Sequence, residues 1–395
     1  MRRSGTVLAV LAGLTGVGFN VFARRAPWRR YPWYLAGLVP GIGGSELALP
    51  VAAAHLAAGG LAIGLGATRS RLGTAGLLAA AGSVAGLLDL GRSASAAGTV
   101  LEQALAESVG PHPVEPRTRR SRRPLSVIRD VAYHDEAPEQ VLDLWRAPDL
   151  PVDGRAPVLV QVHGGSWIGG SKRSQGVHLM RYLAERGWIC VSIDYRLGPR
   201  NRWPAQIVDV KRALAWVREH ITEFGGDPTF LALTGGSAGG QLAAVAALSA
   251  NDPAFQPGFE AADTSVVAAA LLYGVYDLTA LNDDGRPRLR DYVRKVIFDT
   301  DHDQDPTTWR AASPTLRVDR TAPPMFVVHG DRDEIVSVNQ ARAFADRARA
   351  VSAQPFGYAE LPYAHHAFDL VASTRTMATV RAVTRFLEAI HARHR

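Results

Sequence analysis

One cysteine, Cys190, stands in the 395 residues, so the chain forms no internal disulfide and carries no cysteine cluster for a metal. It lies in the strand-like run 188–193, where it reads as a buried apolar filler. Acidic side chains are almost missing from the first hundred residues. Glu46 and Asp89 face nine arginines there, and this imbalance accounts for the whole formal net charge of +7. Basicity confined to an apolar N-terminus argues for a membrane as partner and against nucleic acid. No histidine, cysteine or carboxylate spacing suggests a metal or an organic cofactor.

Charge is also absent from three long stretches: 5–23 over 19 residues, 47–67 over 21 and 72–88 over 17. A helix needs roughly 20 residues to cross a bilayer. The second and third stretches predict a helical hairpin. Both carry a Gly-x-x-x-Gly spacing, Gly60 with Gly64 and Gly82 with Gly86, which suits close helix approach in lipid. The alternative is an Ala/Gly-rich soluble cap, kept open by Pro50, His55 and modest hydrophobicity. Stretch 5–23 also has the outline of a signal peptide. The cluster Arg24, Arg25, Arg29 and Arg30 argues against its cleavage, and Trp28, Trp33 and Tyr34 suit an interface. Whether 5–23 spans, is cleaved or is retained stays open at this stage. With that cluster inside, the catalytic part returns to the cytoplasmic face of what is expected to be a bacterial plasma membrane.

From residue 93 the pattern turns polar, with a helix expected over 100–108 and a basic run from Arg117 to Arg123 that is either solvated or set against anionic lipid. The expected division is thus 1–92 apolar, 93–124 connector and 125–395 catalytic. This division predicts that a fragment beginning near Pro124 is soluble and active. Beyond the connector, apolar strand patterns at 158–162, 188–193, 230–234, 268–273 and 325–329 alternate with helical ones at 176–186, 207–224, 241–250, 338–351 and 375–392. Such alternation predicts an α/β fold, a mostly parallel sheet with helices on both faces. Segment 282–310 has no clear period and is expected to pass over the carboxyl end of the sheet and shape the acyl pocket.

The motif that points to chemistry is Gly235-Gly236-Ser237-Ala238-Gly239, between an apolar run and a helical one. A sharp turn that lifts a serine hydroxyl clear of a sheet crowds backbone against backbone, which is why glycines flank it. Composition alone would yield about 0.3 such pentapeptides in a chain of this length, so context has to carry the reading. His163-Gly164-Gly165-Ser166-Trp167 follows an apolar strand and supplies backbone amides for a developing oxyanion, each worth roughly 3 kcal/mol. Gly165 and Ser166, joined by Ala238, are the expected donors, with Gly164 a further candidate. Downstream, Asp331 and Asp333 follow a buried strand, and His365 and His366 precede the last helix. The order Ser, Asp, His is that of the α/β-hydrolases.

These motifs, together with Asp194-Tyr195-Arg196-Leu197, Trp203-Pro204-Ala205, 224–228, 273–277 and His366-Ala367-Phe368, give residues 133–387 a resemblance to carboxylesterases of the hormone-sensitive-lipase-like group. With the apolar N-terminus, the chain is similar to the membrane-associated Lip-type carboxylesterases of mycobacteria and their actinobacterial relatives. One departure is Ser166, where many members have a third glycine; its amide survives the change. The resemblance implies Ser237 as nucleophile, His366 in preference to His365 as base, Asp333 in preference to Asp331 as the orienting acid, and no cofactor. It also implies that His163 supports the oxyanion loop and that Asp194 and Tyr195 brace a neighbouring one. Trp167 either lines the pocket mouth or packs in the core. The function so implied is serine-dependent hydrolysis of acyl esters or lipids through an acyl-enzyme. The alternatives are a peptidase or amidase on the same fold, or a catalytically silent membrane scaffold. Acyl length, alcohol portion and oligomeric state are not written in the sequence.

Overall fold

The structure, a computed structural model, describes residues 2–25, 33–111, 121, 123–152, 155–281 and 287–394. Trp28, Arg29, Arg30, most of the basic run (Arg117, Arg119, Arg120, Arg122) and the start of the 282–310 segment lie outside the described residues. The chain forms two compact units. One comprises Met1–Val100, Gly330–Ile335 and Glu360–Thr376; the other comprises Leu101–His329, Val336–Ala359 and Met377–Arg395.

The N-terminal region is helical throughout: α1 (Arg2–Arg24), α2 (Trp33–Glu46), α3 (Ala48–Gly64) and α4 (Arg71–Val109). Helices α1 and α4 are each long and apolar enough to cross a membrane, whereas α2 and α3 meet at a 90° bend and make a third span only if counted together. The small residues and short polar side chains of α1 set the packing. Thr6 Oγ1 lies 2.8 Å from Ser70 Oγ, Thr15 Oγ1 lies 3.2 Å from His55 Nε2, and Asn20 Nδ2 donates to the Ser83 carbonyl at 2.9 Å. At the other end Arg24 pairs with Asp89 at 2.8 Å. Helix α1 thus runs parallel to α4 and antiparallel to α3.

The hairpin of α3 and α4 is present, but the glycine spacing misidentifies what holds it. A Cβ on Gly60, Gly64 or Gly82 would meet nothing within 4 Å, and one on Gly86 would meet the Asn20 side chain of α1. The close approaches run instead through Gly13, Gly16 and Gly76; a Cβ on Gly76 would sit 2.7 Å from backbone atoms of Ala9 and Val10. Nor does the helix stop near residue 92. Ala94, Ala97, Leu101, Ala104, Leu105 and Ser108 recur at helical spacing and are all buried, so α4 continues to Val109.

The remaining elements are β1 (Ser126–Ala132), β2 (Val141–Arg146), β3 (Ala156–Val162), α5 (Val177–Ala184), β4 (Ile189–Ile193), α6 (Ala205–His220), β5 (Gly226–Gly236), α7 (Ala238–Ala247), β6 (Ala268–Leu272), α8 (Pro287–Val293), α9 (Pro306–Ala311), α10 (Pro314–Arg317), β7 (Met325–Gly330), α11 (Val338–Val351), β8 (Phe356–Leu361) and α12 (Thr374–His394). The eight strands form one sheet in the order β1-β2-β4-β3-β5-β6-β7-β8. Pairings from β4 through β3, β5 and β6 to β7 are parallel, and β1 and β2 join antiparallel. Strands β3, β4, β6 and β7 are buried at every position, which explains their predominantly apolar sequences. Cys190 is among these residues; burial raises its thiol far above the ordinary range and leaves it an inert filler.

Two substitutions on α4 separate packed from open glycines. Gly76→Val forces a side chain into the α1 backbone and is expected to cost about 1–3 kcal/mol. Gly82→Ala, with nothing to meet, is expected to be neutral or to stabilise by about 0.5–1 kcal/mol. Thermal melts of the full-length protein in detergent should place Gly76→Val a few degrees below wild type and Gly82→Ala at or above it.

Candidate active site

Strand β5 lies in the middle of the sheet and ends in the glycines that precede Ser237. Ser237 has φ 58° and ψ −125°, a conformation L-residues rarely adopt, and it caps the N-terminus of α7. The turn is closed by neighbours that leave no room for side chains. A Cβ on Gly235 would lie 2.4 Å from the Gly239 carbonyl oxygen, and one on Gly239 would lie 2.2 Å from that of Val162. The Ser237 amide donates to Leu272 O at 3.0 Å, which ties the turn to β6.

The loop after β3 passes directly over this serine, since a Cβ on Gly164 would sit 3.1 Å from Ser237 Cβ. Gly165, Ser166 and Trp167 have φ of 124°, 54° and 61°, so the backbone winds left-handed there. Among the described residues, none accepts a hydrogen bond from the amides of Gly165, Ser166 or Ala238. The Gly164 amide is different, for it donates to Gln175 Oε1 at 2.7 Å and is not free for a ligand.

Several side chains hold this loop. His163 Nδ1 donates to the Gly164 carbonyl at 2.7 Å, and the ring stacks on Tyr195 at 4.4 Å. Burial pushes the His163 pKa down, which favours the neutral ring. Tyr195 Oη donates to the His163 carbonyl at 2.9 Å, while Asp194 accepts from both the amide and the ammonium of Lys172. The Trp167 indole is buried and donates to Gln241 Oε1 at 3.0 Å, so of its two readings the packed one holds. From α8, Tyr292 Oη donates to the Ser166 carbonyl at 3.0 Å, which brings the 282–310 excursion onto the same loop.

Asp333 and His366 belong to the other compact unit, and there they meet. His366 Nδ1 donates to Asp333 Oδ2 at 2.7 Å, and both side chains are almost fully buried. In this tautomer the ring proton is on Nδ1 and the lone pair on Nε2. The second oxygen of Asp333 accepts the Ile335 amide at 2.9 Å. Asp331 plays the turn role instead: its carboxylate accepts the Tyr363 amide at 2.6 Å, and burial raises its pKa.

His365 is not an exposed loop residue. It is buried, with Nδ1 3.0 Å from Glu334 Oε2 and Nε2 3.4 Å from the Ala23 carbonyl. Glu334 Oε2 also lies 3.5 Å from the His366 amide. Sequence reasoning missed Glu334, although its position next to Asp333, matching His365 next to His366, is a signal that two carboxylate–imidazole pairs stand side by side.

Residues 142–347 match the BD-FAE family model, which is more than half of the chain. The chain is 42% identical to the probable carboxylic ester hydrolase LipM of Mycobacterium tuberculosis, over 98% of its own length and 93% of that protein's. It is 46% identical to the esterase LipQ of the same organism, over 76% of each. Among solved structures, the propionate-bound esterase Est2 of Thermogutta terrifontis superposes with a TM-score of 0.55 at 26% identity, covering 67% of this chain and 93% of that one. A strained serine at the end of a central parallel strand, on a chain with esterase relatives along nearly its whole length, leads to one conclusion: this protein belongs to the BD-FAE family and is a serine carboxylesterase of the α/β-hydrolase fold.

Proposed function

We propose that Ser237 is the nucleophile, His366 the general base and Asp333 the acid that orients it, with the amides of Gly165, Ser166 and Ala238 receiving the oxyanion. The observation that carries the assignment is the buried 2.7 Å hydrogen bond between His366 and Asp333. In the reaction, Ser237 Oγ attacks the ester carbonyl while His366 Nε2 takes its proton. The tetrahedral oxyanion draws on the three loop amides, and the alcohol leaves with the proton from His366. Water, deprotonated by the same imidazole, then releases the acid from the acyl-enzyme. Asp333 stays ionised and stabilises the imidazolium.

The substrate class is carboxylic esters, and we propose that lipid esters reach the site from a bilayer that holds the N-terminal helices. The outward faces of those helices support this. Val7, Leu11, Leu14, Val17 and Val21 follow one another at helical spacing along α1 and are all exposed, and Leu56, Leu61, Leu72 and Leu78 are exposed on α3 and α4. An exposed apolar face along a whole helix suits lipid better than water. The end of α1 that bears Arg24 and Arg25 is assigned to the cytoplasmic face of a plasma membrane.

Ser237→Ala should lower kcat about a million-fold and leave the thermal midpoint within a few degrees of wild type. His366→Ala should cost a similar factor, and the double variant no more than either single one, because nucleophile and base act as one unit. Ester hydrolysis kinetics on purified protein test all three, and organophosphate labelling followed by peptide mapping should find Ser237.

Full-length protein should remain with membranes through high-salt and alkaline washes, because apolar burial resists both whereas charge attachment is screened by salt. Protease added outside intact cells should spare the catalytic part. Its digestion there would reverse the assigned side.

A further inference from the structure

The apolar region carries a carboxylate that no membrane anchor requires. Glu46 ends α2 at the 90° bend into α3, and its side chain is fully buried. One of its oxygens pairs with an Nη1 hydrogen of Arg375, itself completely buried, and the other accepts from Ser373 Oγ at 2.6 Å. Arg375 also reaches back through Nη2 to the Pro362 carbonyl at 2.9 Å. Ser373 in turn accepts the Thr376 amide at 3.0 Å, capping the first turn of α12. Residues 362–373, the loop that carries His366, are therefore closed at one end by Arg375 and at the other by Ser373, both of which bond to Glu46 of α2.

A second attachment lies beside His366 itself. His365 is held between Glu334 and the Ala23 carbonyl at the end of α1, and it lies so close to α2 that a Cβ on Gly41 would be 2.6 Å from its ring. Tyr363 packs onto the cluster of Ala23, Ala48, Ala52, Val84, Leu87 and Leu90 within the helices.

We propose that the N-terminal helices position the catalytic base: Glu46, acting through Arg375 and Ser373, and α1 and α2, acting through His365, fix the loop that presents His366. The helices are then part of the esterase and not only its anchor. This inference rests on His366 being the base. It also revises the expectation that a fragment beginning near Pro124 is active, because such a fragment would lack both the Glu46 partner of Arg375 and Ser373 and the α1 and α2 contacts of His365. Positioning alone accounts for a large effect, since a displacement of about 1 Å at a reacting group costs about 100-fold in rate.

The test uses full-length protein in lipid nanodiscs and a soluble p-nitrophenyl ester, with competent sites counted by organophosphate titration. Glu46→Ala and His365→Asn are expected to lower kcat per titrated site about 10- to 100-fold with KM within about threefold, and Glu46→Asp to recover part of the loss. Unchanged kcat per site in either variant would overturn the proposal. A fall in the number of sites with normal turnover in those remaining would do the same, because it reports stability alone. Where Glu46→Ala does not fold, Glu46→Met with Arg375→Met removes both charges; its kcat per site should still be reduced, and wild-type turnover there also refutes the idea. His366→Ala is measured alongside. Substantial activity in that variant would overturn the base assignment itself, whereas its inactivity beside a fully active Glu46→Ala would overturn only the role of the helices.

Discussion

The constraint on which the rest depends is crowding at one turn. To stand clear of the sheet, Ser237 has to reverse direction between a buried strand and a helix within a single residue, and the chain does so at positive φ. The residues flanking Ser237 are small because neighbouring atoms already occupy the space: the Val162 and Gly239 carbonyls sit where side chains of Gly239 and Gly235 would go. The turn holds because its neighbours on β3 and β6 are themselves fully buried and cannot give way. The same crowding brings the loop after β3 over the serine, so that Ser237 and the backbone of Gly164 are placed by one set of contacts.

The helical region follows another logic. Leucines and valines line its exterior, while its interior combines alanines, Val84, Leu87 and Leu90 with a few short polar groups that hydrogen-bond between helices. Close backbone contact at Gly13, Gly16 and Gly76 and matched polar groups tie α1 to its neighbours, the kind of packing that membrane helices use.

Much of this was legible before any coordinates. Strands buried on both faces announce themselves as mostly apolar runs, and five of the eight are legible that way. The three that were not are β1, whose Arg129 and Asp130 break any run; β2, which is antiparallel; and β8, where Gly357 and Tyr358 interrupt the pattern. Asp333 and His366, preferred on the family resemblance, lie within hydrogen-bond distance of each other. Glycine spacing on α3 and α4 was misleading, because a period of four says that two glycines share a face and not what that face meets. Glu46 was invisible for a simpler reason. A lone acid between apolar segments looks like a boundary marker, and its partner is 329 residues away.

That separation gives synthesis an order of events. A ribosome adding about 5–20 residues per second takes on the order of tens of seconds to travel from Glu46 to Arg375. For all that time the nascent helices hold a carboxylate whose counter-charge does not yet exist. The ion pair can close only after Arg375 has been added, so the segment that carries His366 joins α2 long after α2 itself has been made.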